Sequence, residues 1–184
     1  VEFVSANPTG LMHIGHARGA VLGDTISSIL EEVGHNVIRE YYINDAGEQI
    51  KILNKTIEFH LINYLNKTKK LLPEDLYPGS YLEEITKKMV KKLHLQTIND
   101  LKKNSNQIVK FILDDIKKDL IDLKVFHDCF RSEKKIASNF KIEKLIQKLL
   151  AKDLAFYGYQ EKPKGVNDEN WKSEKQLLLN SKRF

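Results

Sequence analysis

The sequence predicts a mixed α/β protein assembled on a parallel sheet. Three observations carry that expectation. Residues 1–43 read as strand, helix, strand, and two strands joined by a crossover helix must run parallel. Each strand-like run ends in a polar, turn-forming stretch, Ala6–Gly10 after the first and Asn44–Gly47 after the second. The chain beyond them alternates lysine-rich amphipathic segments with short apolar and aromatic runs.

Val1-Glu2-Phe3-Val4-Ser5 alternates apolar and polar residues, the period of a short strand. Ala6-Asn7-Pro8-Thr9-Gly10 breaks it: Pro8 disfavours helical geometry at Asn7, and Gly10 permits a sharp bend. Ala17, Val21, Leu22, Ile26, Ile29, Leu30 and Val33 recur at three- and four-residue steps and predict a helix from about Ile14 to Val33, stopped by Gly34. Asn36–Ile43, with Val37, Ile38, Tyr41, Tyr42 and Ile43, predicts the second strand. A second helix is expected from Ala46 to about Leu65, and Leu71–Ser80, with Pro73, Pro78 and Gly79, reads as a loop. Tyr81–Leu95 and about Asn106–Leu120 carry stripes that predict packing faces: Leu82, Ile85, Met89, Val90 and Leu93; then Ile108, Phe111, Ile112, Ile116 and Leu120. Lys124–Phe130 is a candidate third strand. Asn139 is a candidate N-cap for a helix over Lys141–Lys152. Ala155–Gln160 reads as a short strand, Glu161–Asn170 as a loop, and Trp171–Phe184 gives mixed signals.

Chemistry concentrates in Ser5–Asp24. His13 and His16 stand three apart, a spacing that puts side chains on one helix face. A helix N-terminus presents unpaired N–H groups and the positive end of the dipole, so two imidazoles there suit a phosphate chain. A structural alternative is a pair of N-terminal caps with Gly15 incidental. In an open α/β sheet ligands bind at the carboxyl ends of the strands, which places Ala6–Gly10 and Asn44–Gly47 on one edge.

The run Ala6, Asn7, Pro8, Thr9, Gly10, Leu11, Met12, His13, Ile14, Gly15 and His16 resembles the HIGH signature of class I aminoacyl-tRNA synthetases. With Glu2–Ser5 before it, Ala17-Arg18 and Gly23-Asp24 after it, and Tyr41–Gly47 beyond, it resembles the arginyl-tRNA synthetase family in particular. That resemblance implies the first half of a nucleotide-binding Rossmann-like parallel sheet, with a helical segment and the start of a connective insertion. The implied divisions are 1–49 for the HIGH-motif half, 50–120 for the helical segment, 121–135 for the third parallel strand and 136–184 for the truncated connective insertion. It implies an enzyme that activates L-arginine with ATP, accompanied by Mg2+, and transfers the arginyl group to tRNA(Arg). His13 and His16 would donate to ATP phosphates, and Gly15 would let adenine lie against the helix. Glu2, Ser5, Asn7 and Asp45 would hold arginine, whose cationic groups donate only and call for carboxylates and amide oxygens. The family's second signature, a KMSKS-like lysine loop, does not occur in the chain. Lys162-Pro163-Lys164-Gly165 comes too early to serve. Val1 and Phe184 look like cut ends, so a fragment of a monomeric parent enzyme is expected, inactive on its own.

Composition narrows the remaining readings. No apolar run is long enough to span a membrane, and no secretory leader is visible. Cys129 is the only cysteine, which excludes an internal disulfide and fits a cytoplasmic protein. His35, His60, His94 and His127 show no metal-ligand spacing. The net charge of +5 would suit RNA, yet arginine occupies only positions 18, 39, 131 and 183, which leaves 30 − 4 = 26 lysines. That pattern fits a compositional bias better than a dedicated RNA patch. Two alternatives stay open: a small nucleotidylyltransferase with the same H-x-G-H turn, and a non-catalytic, synthetase-derived RNA-binding module.

Overall fold

β1 (Glu40–Ile43) is the strand on which the first part of the protein is assembled. In the computed structural model, which describes residues 1–138, 140–160 and 173–183, the chain divides into two units, Val1–Lys135 and Ile136–Phe184. In the first unit β1 pairs in parallel with β2 (Cys129–Ser132), Glu40 opposite Cys129 and Ile43 opposite Ser132. On its other side it meets the start of the chain. Glu2 forms a parallel bridge to Glu40, the Glu40 N–H donates to Val1 O (2.8 Å), and the Phe3 N–H donates to Glu40 O (3.2 Å).

The expected parallel adjacency of the first two strands is therefore present, with shorter strands than the pattern suggested. The first contracts to a single bridge because the backbone turns at once: Val4 and Ser5 both lie in the left-handed region, φ 64° and 40°. L-residues seldom adopt that conformation in succession. The expected break over Ala6–Gly10 follows directly, with a turn at Pro8 and Thr9 and a bend at Gly10. The third strand lies later than Lys124–Phe130. Lys124 has φ 62°, which stops an extended run, and Asp128 first ties back to β1, its N–H donating to Arg39 O and its Oδ2 accepting from the Arg39 N–H.

α1 (Ile14–Glu32) packs close to this sheet through small residues. Ala20, Gly23 and Ser27 are buried, and a Cβ on Gly23 would stand 2.2 Å from Phe3 Cγ, so only glycine permits the contact. Arg39 locks the helix in rotation. Its guanidinium donates to both Glu31 oxygens (2.6 and 2.9 Å), to Asp24 (3.3 Å) and to Ser28 Oγ (3.3 Å). The large apolar residues of α1 consequently face outward. Leu22, Ile29 and Val33 are 60%, 58% and 67% exposed.

α2 (Glu48–Leu65), α3 (Ser80–Leu93) and α5 (Ser105–Asp122) supply most of the core. Leu53, Ile57 and Leu61 meet Leu82, Ile85, Met89, Ile108, Ile112 and Ile116, all buried, so the two lysine-rich stripes are packing faces as their period predicts. α4 (Ile98–Lys103) begins with a Thr97–Asp100 capping box, each side chain satisfying the other's backbone N–H. α6 (Glu133–Ala137) follows β2 directly.

The second unit holds α7 (Phe140–Ala151) and a hairpin of β3 (Ala155–Tyr159) with β4 (Lys175–Leu179), antiparallel with Ala155 opposite Leu179. Asn180 closes it, its N–H donating to Leu154 O and its Nδ2 to Asp153 O. The proposed Asn139 cap, the Glu161–Asn170 loop and Lys162–Gly165 lie outside the described residues.

Candidate functional site

Both polar loops meet at the carboxyl edge of the sheet. Asn44 Nδ2 donates to Asn7 Oδ1 (3.1 Å), joining the stretch after the first strand to the stretch after β1. The first loop is also held from beneath. Tyr41, on β1, donates its hydroxyl to Ala6 O (2.9 Å), and Tyr81, at the start of α3, donates to Thr9 O. Burial pushes the Tyr41 hydroxyl up to about 12, so it stays a donor throughout the physiological range. Gly79, φ 125°, makes room for the Tyr81 ring: a Cβ there would lie 2.5 Å from it. Neither tyrosine was legible as a site residue, since the contacts span 35 and 72 residues of sequence.

His13 and His16 cap α1. His13 is the N-cap residue, extended at φ −130° and ψ 174°. Its Nδ1 accepts from the Gly15 N–H (3.1 Å), and His16 Nδ1 accepts from the His13 N–H (3.4 Å). The rings stack with centroids 3.8 Å apart. The structural alternative, a cap pair, is thus realised, and it sets the chemistry as well. A neutral imidazole that accepts at Nδ1 carries its proton on Nε2. Two Nε2–H donors result, side by side at the positive end of α1. Desolvation first, and the neighbouring His13 second, hold His16 below the ordinary histidine value, which keeps it neutral near pH 7. The first turn of α1 carries no acidic residue, in contrast to α2, α3 and α4, so nothing on the helix competes with an incoming anion. Gly15 packs against the His13 ring: an added Cβ would lie 3.0 Å from Cε1.

The carboxylates gather elsewhere on the same edge. Ser5 Oγ donates to Glu2 Oε1 (2.6 Å) and accepts from the Tyr42 N–H (3.0 Å). Asp45 accepts from Ser132 Oγ (2.7 Å) and from the Lys134 N–H (2.9 Å), tying this loop to β2 and α6. Desolvation, then the charges of Glu133, Asp45 and Glu2, raise the Tyr42 hydroxyl above its ordinary value. The carboxylates of Glu133, Asp45 and Glu2 are therefore within electrostatic reach of one tyrosine. Tyr42 and Glu133 are additions that sequence reasoning missed; Glu133 comes from a helix of five residues with no readable period. A cleft of about 360 Å³ opens beside Asp45, with Asn54, Asn106 and Ser132 in its walls. No hydrogen bond among the described residues links the histidine pair to Glu2, Ser5, Asn7 or Asp45. His127 packs on Phe3 (centroids 4.3 Å) with Nε2 3.3 Å from Phe3 O, and no three histidine, cysteine or acidic side chains among the described residues gather as a metal site.

A parallel sheet whose first strand turns into a helix capped by H-x-G-H, with polar loops converging at its carboxyl edge, is the arrangement expected of class I synthetases and of the nucleotidylyltransferases that share the turn. Comparison with known proteins specifies it further. Residues 1–157 match the family described as tRNA synthetases class I (R), catalytic domain, and the chain belongs to that family. It is similar over its whole length to the arginine–tRNA ligases of Wolbachia pipientis wMel (45% identical) and Ehrlichia chaffeensis (43%). It spans about a third, 33%, of the length of each. A Campylobacter jejuni chain solved as a candidate arginyl-tRNA synthetase superposes with a TM-score of 0.70 at 31% identity, covering 88% of this chain and 35% of that one. No helix among the described residues is long and apolar enough to cross a membrane.

Proposed function

We propose that this chain supplies the ATP-binding half, and part of the arginine site, of an arginine–tRNA ligase. The observation that carries the proposal is the capped histidine pair, with two Nε2–H donors at a helix N-terminus that lacks acidic residues. In the reaction the arginine carboxylate attacks the ATP α-phosphorus, and the bond to the bridging oxygen breaks. Arginyl-adenylate and pyrophosphate form, and the arginyl group then passes to tRNA(Arg). Charge grows on the departing pyrophosphate, where fixed N–H donors lower the barrier. Neither histidine acts as a base, because the attacking carboxylate is already ionised. Mg2+ enters with ATP as part of the substrate and is assigned to no protein residue.

Glu2, Ser5, Asn7 and Asp45 are assigned to arginine, with Glu133 joining them. Their support is the acidic surrounding of Tyr42, which suits a cation. The Glu2 carboxylate is oriented by Ser5, and Asn7 by Asn44. Asp45 already spends an acceptor site on each of its oxygens, and a carboxylate has about four such sites in all. It can therefore hold the loop and accept from arginine at once. The protein is assigned to the cytoplasm with its tRNA.

The test replaces the matching third of the Wolbachia ligase with this chain and follows ATP–pyrophosphate exchange with tRNA present. His13→Ala and His16→Ala should each lower kcat by about 10²–10³ while the KM for arginine changes little, as for contacts made in the transition state. Near-normal exchange in both variants would overturn the assignment.

A further inference from the structure

We infer that the cleft formed by the end of α2, the loop after it and α3 binds a nucleoside monophosphate group, at a site separate from the histidine cap. The inference does not depend on the catalytic assignment. The cleft measures about 590 Å³, within the usual range for small-molecule sites. None of the residues lining it belongs to α1 or to the polar loops at the sheet edge. Phe59 and Leu72, both half-buried, and Tyr64 give it an apolar and aromatic lining, to which the exposed Lys67, Lys69 and Lys70 add three cations. These lysines do not stand on a helix face. Asn63, in the last turn of α2, folds the following loop back on the helix. Its Oδ1 accepts from Thr68 Oγ1 (2.9 Å) and from the Lys70 N–H (3.4 Å), and its Nδ2 donates to Lys70 O (3.4 Å). The chain reverses at Lys67, φ 52°, whose N–H donates to Tyr64 O (3.3 Å). Three like charges are thereby held at one cleft although they repel one another.

The chemistry of the lining selects the ligand. Among the described residues that line the cleft the one carboxylate is Glu83, which is paired with Lys87 (2.6 Å), so the loop lysines leave an excess of positive charge. A phosphate answers it, since its oxygens accept from several ammonium groups at once. A bare phosphate would leave the aromatic lining and most of the volume unused. Phe59 and Tyr64 offer surface on which a base can pack. His60 adds a polar contact. Its Nε2 is buried with no hydrogen-bond partner among the described residues, whereas buried polar nitrogens ordinarily have one. Desolvation holds His60 below the ordinary histidine value, which keeps the ring neutral near pH 7. A base edge carries donors and acceptors and can satisfy that nitrogen in either tautomer. The same group arrives as a free mononucleotide or as an unpaired nucleotide of an RNA strand.

The test follows the histidine ring signals of the 184-residue chain by NMR during titration with AMP, inorganic phosphate and a single-stranded RNA tetramer. The His60 signal, assigned by its loss in His60→Gln, reports on this cleft alone. AMP should move it with a Kd at least about 5-fold below that of inorganic phosphate, the margin that packing of one base supplies. Tyr64→Ser should erase that margin. The Lys69→Glu, Lys70→Glu double variant should weaken AMP by at least about 10-fold. Both changes fall on exposed side chains, and Lys70 meets Asn63 only through its backbone, so the fold is kept. A tetramer that binds more tightly than AMP assigns the site to a strand, and one that binds more weakly or not at all, while AMP binds, assigns it to the free nucleotide; either result supports the inference. A His60 signal that no probe moves would overturn it, as would equal affinity for AMP and inorganic phosphate, or AMP that moves His13 and His16 alone.

Discussion

Gly23→Ala inserts one methyl group where α1 touches the first strand. The new Cβ would lie 2.2–2.5 Å from three atoms of Phe3, well under any real contact. Phe3 has little room to yield, being 8% exposed with the His127 ring 4.3 Å from its own. Overpacking of this kind costs about 1–3 kcal/mol. Alanine in a helix interior returns about 0.5–1 kcal/mol relative to glycine. The net loss is therefore about 1–2 kcal/mol, or a Tm lower by roughly 2–8 °C for a chain of this size. Gly19→Ala, four residues earlier on the same helix, is the control. Nothing lies within 4 Å of its Cβ position, so only the helical gain remains, about 0.5–1 kcal/mol. Thermal melts followed by circular dichroism should move in opposite directions for the two variants. Combining Gly23→Ala with Phe3→Leu should cost less than the sum of the single changes, because the smaller side chain relieves the clash. A Gly23→Ala protein as stable as the Gly19→Ala protein would show that α1 does not pack on Phe3 as described.

Three further expectations concern the edge of the sheet. Tyr81→Phe removes the anchor on Thr9 O and should lower stability by about 0.5–1.5 kcal/mol in urea titrations, with faster amide exchange over residues 6–12 if that anchor holds the loop; unchanged exchange would argue against it. Desolvation lowers His16, His60 and His127 below the ordinary value of 6.5, so below that value the unfolded chain takes up protons that the folded chain refuses. Stability should thus be full above about 6.5 and fall as pH drops toward 5, read as a lower urea midpoint at pH 5 than at 7.5; equal midpoints would contradict the burial of these rings. Asp45→Asn weakens the acceptors for Ser132 and Lys134 and should cost about 1 kcal/mol, while a loss of exchange activity in the chimera well beyond that of a Ser132→Ala variant would mark a direct contact with arginine.

What the sequence disclosed follows from the range over which each signal acts. The helices of 14–19 residues announce themselves by apolar period, and the crossover between parallel strands follows from strand, helix and strand in succession. α4 and α6, at six and five residues, are too short to display a period. The aromatic run Val125–Phe130 looks extended, but the left-handed Lys124 and the Asp128–Arg39 contact delay the strand to Cys129. At the site, the histidine pair and the polar loops are local and legible. The hydroxyls of Tyr41 and Tyr81 and the clamp on Asp45 bridge 35 to 89 residues, and no local pattern encodes them.

The histidine cap of α1 also sets a conflict for anyone trying to make this protein sturdier. At α4 the same chain builds the same box from Thr97 and Asp100, with hydrogen bonds of 2.9–3.2 Å from side chains that rank among the stronger cap formers. At α1 it uses two imidazoles, with one contact stretched to 3.4 Å. Replacing His13 with threonine and His16 with aspartate would tighten the start of the helix while removing both Nε2–H donors and setting a negative charge at the proposed phosphate site. Selection for thermal endurance alone would therefore drift toward a better-folded protein with a disarmed edge, and stability screens of this helix need an activity readout beside them.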